Sequence, residues 1–212
     1  MQRRSLLLAP AFLAWPTVRA QQTRQDWFIF LETGKPTPPD KEAVAAMQRG
    51  HIENFKRLFA EGKLFAAGPL LDPARVKRGI VVVKAASMEE LIGYFQPDEY
   101  VREGYMTLNA QPATIQRALH HEGIDPEGIE EVRIALLGRP AQADMAEAAA
   151  RHAHLQTLLD SGQIGAWYSP QQGPVAEVLF ARGTDSAALE SALAAYPGAA
   201  VWRQWLGKRV LR

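Results

Sequence analysis

The sequence predicts an α+β fold of two tandem ferredoxin-like βαββαβ halves, packed sheet to sheet within one chain. Three observations predict it. Short β-branched and aromatic runs alternate with long helical stripes, and the same strand and helix order occurs twice. The chain has no cysteine among its 212 residues and is 47% apolar, so its stability must come from a buried core and not from disulfides.

The N-terminus stands apart from this pattern. Met1-Gln2-Arg3-Arg4 precedes an apolar stretch from Leu6 to Trp15, and Val18-Arg19-Ala20 precedes Gln21. A basic start, a short apolar centre and small residues at the −3 and −1 positions are the parts of a secretory signal, so residues 1–20 read as a removed signal peptide. The apolar run is about half the ~20 residues needed to cross a bilayer, and Pro10 and Pro16 interrupt it. Gln2-Arg3-Arg4-Ser5-Leu6-Leu7 is similar to a twin-arginine export signal, with the general secretory route as the alternative. The expected location is periplasmic or secreted.

Asp26 to Leu31 reads as the first strand, and Thr33 to Pro39 as a Gly/Pro loop. Asp40 is an N-cap candidate for a helix to Glu61, with Gly62 as its stop. Val44, Met47, His51, Phe55 and Leu58 share one face of that helix. Gly50, inside it, points to close approach of a neighbouring element. Lys63–Leu71 and Gly79–Lys84 read as strands, joined through Asp72-Pro73 and the basic Lys77-Arg78. Ser87-Met88-Glu89-Glu90 fits a capping box and opens a short helix to about Phe95. Pro97-Asp98 breaks it, and Tyr105–Leu108 closes the first half.

The order then repeats. Glu131–Leu137 is a strand, Ala141–Asp160 a helix stopped near Gly162, and Gln163–Tyr168 and Ala176–Arg182 are strands. Asp185 or Ser186 caps a helix to about Ala195, and Ala200–Trp205 is the last strand. The halves span 26–112 and 131–212, with a polar connector over 113–130, helical around Ile115 to His120. At an offset of one hundred, Leu58/Leu158, Gly62/Gly162 and Ala66/Ala166 coincide. Each half leaves one sheet face bare, and burying the two faces against each other removes apolar surface worth ~25 cal/mol per Å².

Charge excludes some partners. Removing Arg3, Arg4 and Arg19 from 24 Lys+Arg leaves 21 against 23 Asp+Glu, a formal charge of −2. That balance carries no footprint for nucleic acid or for an anionic membrane. His152 and His154 point about 200° apart on a helix and do not share a metal. The expected partner is a small molecule, bound by a monomer or homodimer with no cofactor and no metal.

His51 is the most informative position. By placement alone it is either a core histidine satisfied by a backbone carbonyl or a functional imidazole. His51-Ile52-Glu53-Asn54-Phe55 with Leu58, then Glu61-Gly62-Lys63-Leu64, Ala67-Gly68-Pro69 and Pro97-Asp98-Glu99-Tyr100-Val101 with Gly104, occur in one order. This series resembles the YciI-like (YCII-related) family of the dimeric α/β-barrel superfamily over residues 26 to about 112. The resemblance implies a His–Asp active site at His51 and Asp98, with Gly68, Pro69 and Tyr100 contributing to substrate binding. Glu99 stands where the family often has proline. It also implies cofactor-free chemistry: proton transfer beside a carbonyl, leading to elimination or isomerisation of a small organic acid, lactone or phenol.

A free imidazole titrates near ~6.5, which suits proton transfer at neutral pH, and a carboxylate can fix its tautomer. Backbone amides near Gly68-Pro69 are oxyanion candidates. In the second half Arg151 takes the place of His51, and Tyr196-Pro197 that of Asp98. That half is therefore expected to be a structural partner that lines or closes the first half's cleft. A non-catalytic small-ligand-binding protein and a purely structural protein remain the alternatives.

Overall fold

The computed structural model describes residues 23–120, 125–142 and 144–211, so the expected signal peptide lies outside the described residues. The first elements are β1 (Gln25–Thr33), α1 (Lys41–Ala60), β2 (Leu64–Leu71), β3 (Lys77–Ala85), α2 (Met88–Tyr94), α3 (Glu99–Arg102) and β4 (Met106–Arg117). There follow β5 (Asp125–Gly138), α4 (Met145–Asp160), β6 (Ala166–Pro170), β7 (Val175–Ala181), α5 (Ser186–Leu193) and β8 (Ala200–Lys208).

Helix boundaries follow local chemistry. Asp40 accepts from the Glu42 amide at 2.9 Å and opens α1, and Asp144 accepts from Ala146 at 3.0 Å and opens α4. The second long helix therefore begins later than Ala141, at its first good cap. Gly62 and Gly162 end the two helices at φ +66° and +77°, where a side chain would be strained. None of the helices among the described residues is long and apolar enough to cross a membrane.

All eight strands join one antiparallel closed barrel in the order β1-β3-β2-β8-β5-β7-β6-β4. Its interior is filled from both halves of the chain. Phe28, Phe30, Ile80 and Val82 meet Val132, Ile134, Tyr168 and Phe180 there. Outside the barrel, α1 and α2 cover Ile29, Val81 and Val83, while α4 and α5 cover Ala135, Trp167 and Leu179. This is the period-two alternation of strands apolar on both faces.

Two seams join the halves, and both depart from the expected layout. Ala113–Arg117 of β4 pairs with Trp167–Pro170 of β6, and Leu70–Leu71 of β2 pairs with Arg203–Gln204 of β8. The bare faces do meet, but the sheet edges are also hydrogen-bonded, which removes exposed edges. The segment expected as a polar connector is mostly strand, since β4 runs to Arg117 and β5 begins at Asp125. No helix forms around Ile115. The β-branched Thr114 and Ile115 pair with Ser169 and Tyr168, and Ile115 packs on the barrel core.

Gly68 is fixed by the second seam. A Cβ there would lie 1.7 Å from the Trp205 carbonyl oxygen, which is backbone and cannot swing aside. Gly50 behaves differently from expectation: it is exposed, and nothing stands within 4 Å of where a Cβ would be. No neighbour approaches it, so it only lowers the helix's intrinsic stability. Gly68→Ala is expected to cost about 2–3 kcal/mol, and Gly50→Ala to add ~1 kcal/mol, as read from urea unfolding midpoints.

Candidate active site

The backbone brings His51 to Asp98 from two separate elements. His51 lies on the buried face of α1 with Met47, Asn54 and Leu58. Asp98 is the N-cap of α3, and its Oδ1 accepts from the Tyr100 amide at 3.0 Å. Pro97 stops the preceding chain from continuing as helix, so Asp98 can take the extended conformation a cap requires.

The remaining carboxylate oxygen, Asp98 Oδ2, lies 2.6 Å from His51 Nδ1. Asp98 is fully buried and His51 is 8% exposed. The Phe55 ring, one helical turn on, stands 4.3 Å from the imidazole centroid, and Tyr100 meets it edge-on at 5.7 Å. The ring is thus held on one nitrogen and two sides.

An ionised carboxylate only accepts, so the neutral imidazole beside it carries its proton on Nδ1 and donates to Oδ2. Among the described residues nothing hydrogen-bonds Nε2, and the His51 side chain keeps 10% of its surface exposed. The lone pair of Nε2 is therefore available, which is the geometry of a general base with an orienting acid.

The expected substrate contacts fall in two places. Tyr100 is 5% exposed and donates its hydroxyl to the Val44 carbonyl at 3.4 Å, so it packs the imidazole. Gly68 and Pro69 line a separate groove of about 420 Å³. Its walls are Ile52, Phe55 and Phe59 of α1, with Ile129, Trp205 and Leu206 from the second half of the chain. The second half lines this groove, which is not the cleft expected at His51 and Asp98. His51 and Asp98 do not line that groove; Phe55 is the residue shared between the groove and the imidazole. Pro69 has no N–H, so of that pair only Gly68 has an amide to offer as an oxyanion donor.

Sequence reasoning missed Phe55 as the wall between site and groove, although its i+4 spacing from His51 carries that signal. Trp202 packs on the barrel core, and Trp205, on the opposite face, lines the groove.

No protein-family model matches the chain, and no curated protein does. Solved structures match it in fold. One is a protein from Fusobacterium nucleatum subsp. nucleatum provisionally named a monooxygenase, at 10% identity over 87% of this chain and 93% of that one, TM-score 0.51. Another is provisionally named a chlorite dismutase, at 9% identity over 89% of this chain and 97% of that one, TM-score 0.52. Both have the dimeric α/β-barrel fold, which this chain shares as an α+β protein with an eight-stranded antiparallel barrel.

Removing the Asp98 carboxylate strands two donors, His51 Nδ1–H and the Tyr100 amide, and deletes a helix cap. Asp98→Ala is expected to lose about 2–4 kcal/mol in chemical unfolding. Long-range ¹H–¹⁵N spectra of the neutral ring should show Nδ1–H in the parent protein and a mixture of tautomers in Asp98→Asn.

Proposed function

We propose that the protein is an exported, YciI-like, cofactor-independent lyase or isomerase acting on a small organic acid, lactone or phenol. The observation that supports this is the 2.6 Å contact between His51 Nδ1 and a fully buried carboxylate, with Nε2 left open. In this reading Nε2 removes a proton from a C–H or O–H next to a carbonyl. Asp98 holds the ring and stabilises the imidazolium that results, without itself taking the proton. Return of that proton to a neighbouring atom is an isomerisation; departure of a leaving group is an elimination. Tyr100 and Phe55 keep the imidazole from turning.

Proton transfer of this kind supplies ~10²–10⁴-fold. With a substrate found by a thermal-shift screen of small acids, lactones and phenols, His51→Ala is expected to lose that factor in kcat. Asp98→Asn is expected to lose most of it with little change in KM. Unchanged turnover in His51→Ala overturns the reading.

A second reading is a non-catalytic small-ligand binder. It is favoured by one observation: the 420 Å³ groove that holds Gly68 and Pro69 is apolar-walled and does not include His51 or Asp98. Ligand-induced stabilisation that persists in His51→Gln, with no product formed by the parent protein, selects it.

Export is part of the proposal and rests on residues 1–20. Periplasmic extracts of expressing cells are expected to hold a chain starting at Gln21, as read by intact mass. A full-length chain found only in the cytoplasm overturns it.

A further inference from the structure

The half without the His–Asp pair has a cavity of its own. It measures about 190 Å³ and lies between α4 and the outer face of the sheet, at the position that Arg151 and Tyr196 take in place of His51 and Asp98. Its floor and sides include Leu137, Leu155 and the buried Trp167.

Glu177 is the anomaly in that lining. On the outer face of β7 its companions Leu179 and Ala181 are apolar and buried beneath the helices. An acid in such a row needs partners. It has them on one oxygen only: Oε2 accepts from Trp167 Nε1 at 2.6 Å and from Ser169 Oγ at 2.5 Å. Among the described residues nothing donates to Oε1, and Oε1 is not one of the sealed buried atoms. Glu177 is half-buried and lines the cavity.

The other charges of the lining do not neutralise Glu177. Arg151 is paired with Glu147 at 2.5 Å, one turn away on α4. Among the described residues no ion pair includes Glu177. Among the described residues nothing hydrogen-bonds His152; its ring lies 4.9 Å from that of Trp167. The lining thus combines a carboxylate pinned on one oxygen by two donors, an Arg151–Glu147 pair, and apolar surface from Leu137, Leu155 and Trp167. An engineered apolar cavity of ~150 Å³ takes benzene, so this one has room for a single ring with a short side chain.

We propose that this cavity is a second ligand site, separate from His51 and Asp98, that binds a small primary ammonium with a compact apolar or aromatic body. The ammonium donates to Glu177 Oε1, and the body packs on Leu137, Leu155 and the Trp167 ring. The lining holds two carboxylates, Glu147 and Glu177, against the one guanidinium of Arg151, so its net charge favours a cation over an anion. A neutral alcohol of the same shape donates one weaker hydrogen bond. The half expected to be a structural partner would then be a binding half of different chemistry.

Benzylamine, benzyl alcohol and benzoate share a shape and differ in charge. Binding is measured by titration on the full-length mature chain at pH 8, where an alkylammonium is charged and a free imidazole is not. The Trp167 indole N–H resonance, assigned by Trp167→Phe, serves as the local reporter. Benzylamine is expected to bind at least about tenfold more tightly than benzyl alcohol and to shift the Trp167 signal, with benzoate not binding. Glu177→Gln keeps an oxygen that can accept from Trp167 and Ser169, and is expected to weaken benzylamine about tenfold or more. His51→Ala is expected to leave it unchanged, which separates this site from the proposed catalytic one. Equal binding of the three compounds, no shift at Trp167, unaltered affinity in Glu177→Gln or loss of binding in His51→Ala each overturns the proposal. If Glu177→Gln fails to fold, the order of the three compounds on the parent protein decides it.

Discussion

The β2–β8 seam is one of the two contacts on which closure of the barrel depends. It is short, pairing Leu70 and Leu71 with Gln204 and Arg203, and just beyond it the Trp205 carbonyl sits where a side chain on residue 68 would be. With the β4–β6 ladder on the opposite side, it turns two four-stranded runs into one barrel. The closure does two things at once. It hides the unpaired edges that two separate sheets would leave, and it encloses Phe28, Phe30, Tyr168 and Phe180 in one interior. It also sets the groove, because Trp205 meets the α1 residues where β8 lies against β2.

The candidate site lies outside that barrel, under a helix, and is stabilised by different means. Asp98 is buried and uses each oxygen once, on an amide of its own cap and on an imidazole from another helix. A carboxylate committed in this way has little freedom to turn, so the imidazole it holds is pre-oriented before any ligand arrives. Asn54, one turn further along the same face of α1, donates to the Tyr94 carbonyl at 3.1 Å and anchors the helix to the end of α2. The precision of the pair thus comes from α1 being fixed at both Asn54 and His51.

Element order was legible in the sequence because it depends on local signals. Asp40, Ser87 and Asp185 cap helices where a free side-chain oxygen followed by a helix former predicts it, and Gly62 and Gly162 stop them. The continuation of β4 through Ile115 to Arg117 was not legible. A polar stretch such as Asn109 to Arg117 becomes strand only because β1 and then β6 supply hydrogen-bond partners distant in sequence. Gly50 failed for the same reason in reverse, since a helical glycine reads as a packing contact and here no neighbour approaches. The His51–Asp98 contact was legible through a resemblance in motif order; the spacing of 47 residues by itself would not have paired them. Phe55 as the boundary between that pair and the groove needed coordinates.

The two halves share an element order but place their charged groups differently, and the difference has a physical logic. In the first half the acid sits at a helix cap and the imidazole on α1, so the carboxylate is spent on orienting the ring. In the second, the corresponding positions hold Arg151 and Tyr196, and the Tyr196 hydroxyl donates to the Arg151 carbonyl, fixing helix to loop through a neutral bond. Burial then raises the Tyr196 hydroxyl above its ordinary range, which keeps that bond a donor across neutral pH. The acid has moved to β7, where Glu177 is held by an indole and a hydroxyl, with no imidazole bonded to it. The Asp98 carboxylate is thus committed to an imidazole and a cap amide, whereas that of Glu177 is held through neutral side-chain donors on one oxygen. The second half therefore has no His–Asp pair at these positions, but a carboxylate of its own, held by neutral hydrogen bonds inside the same outer layer of helix over sheet.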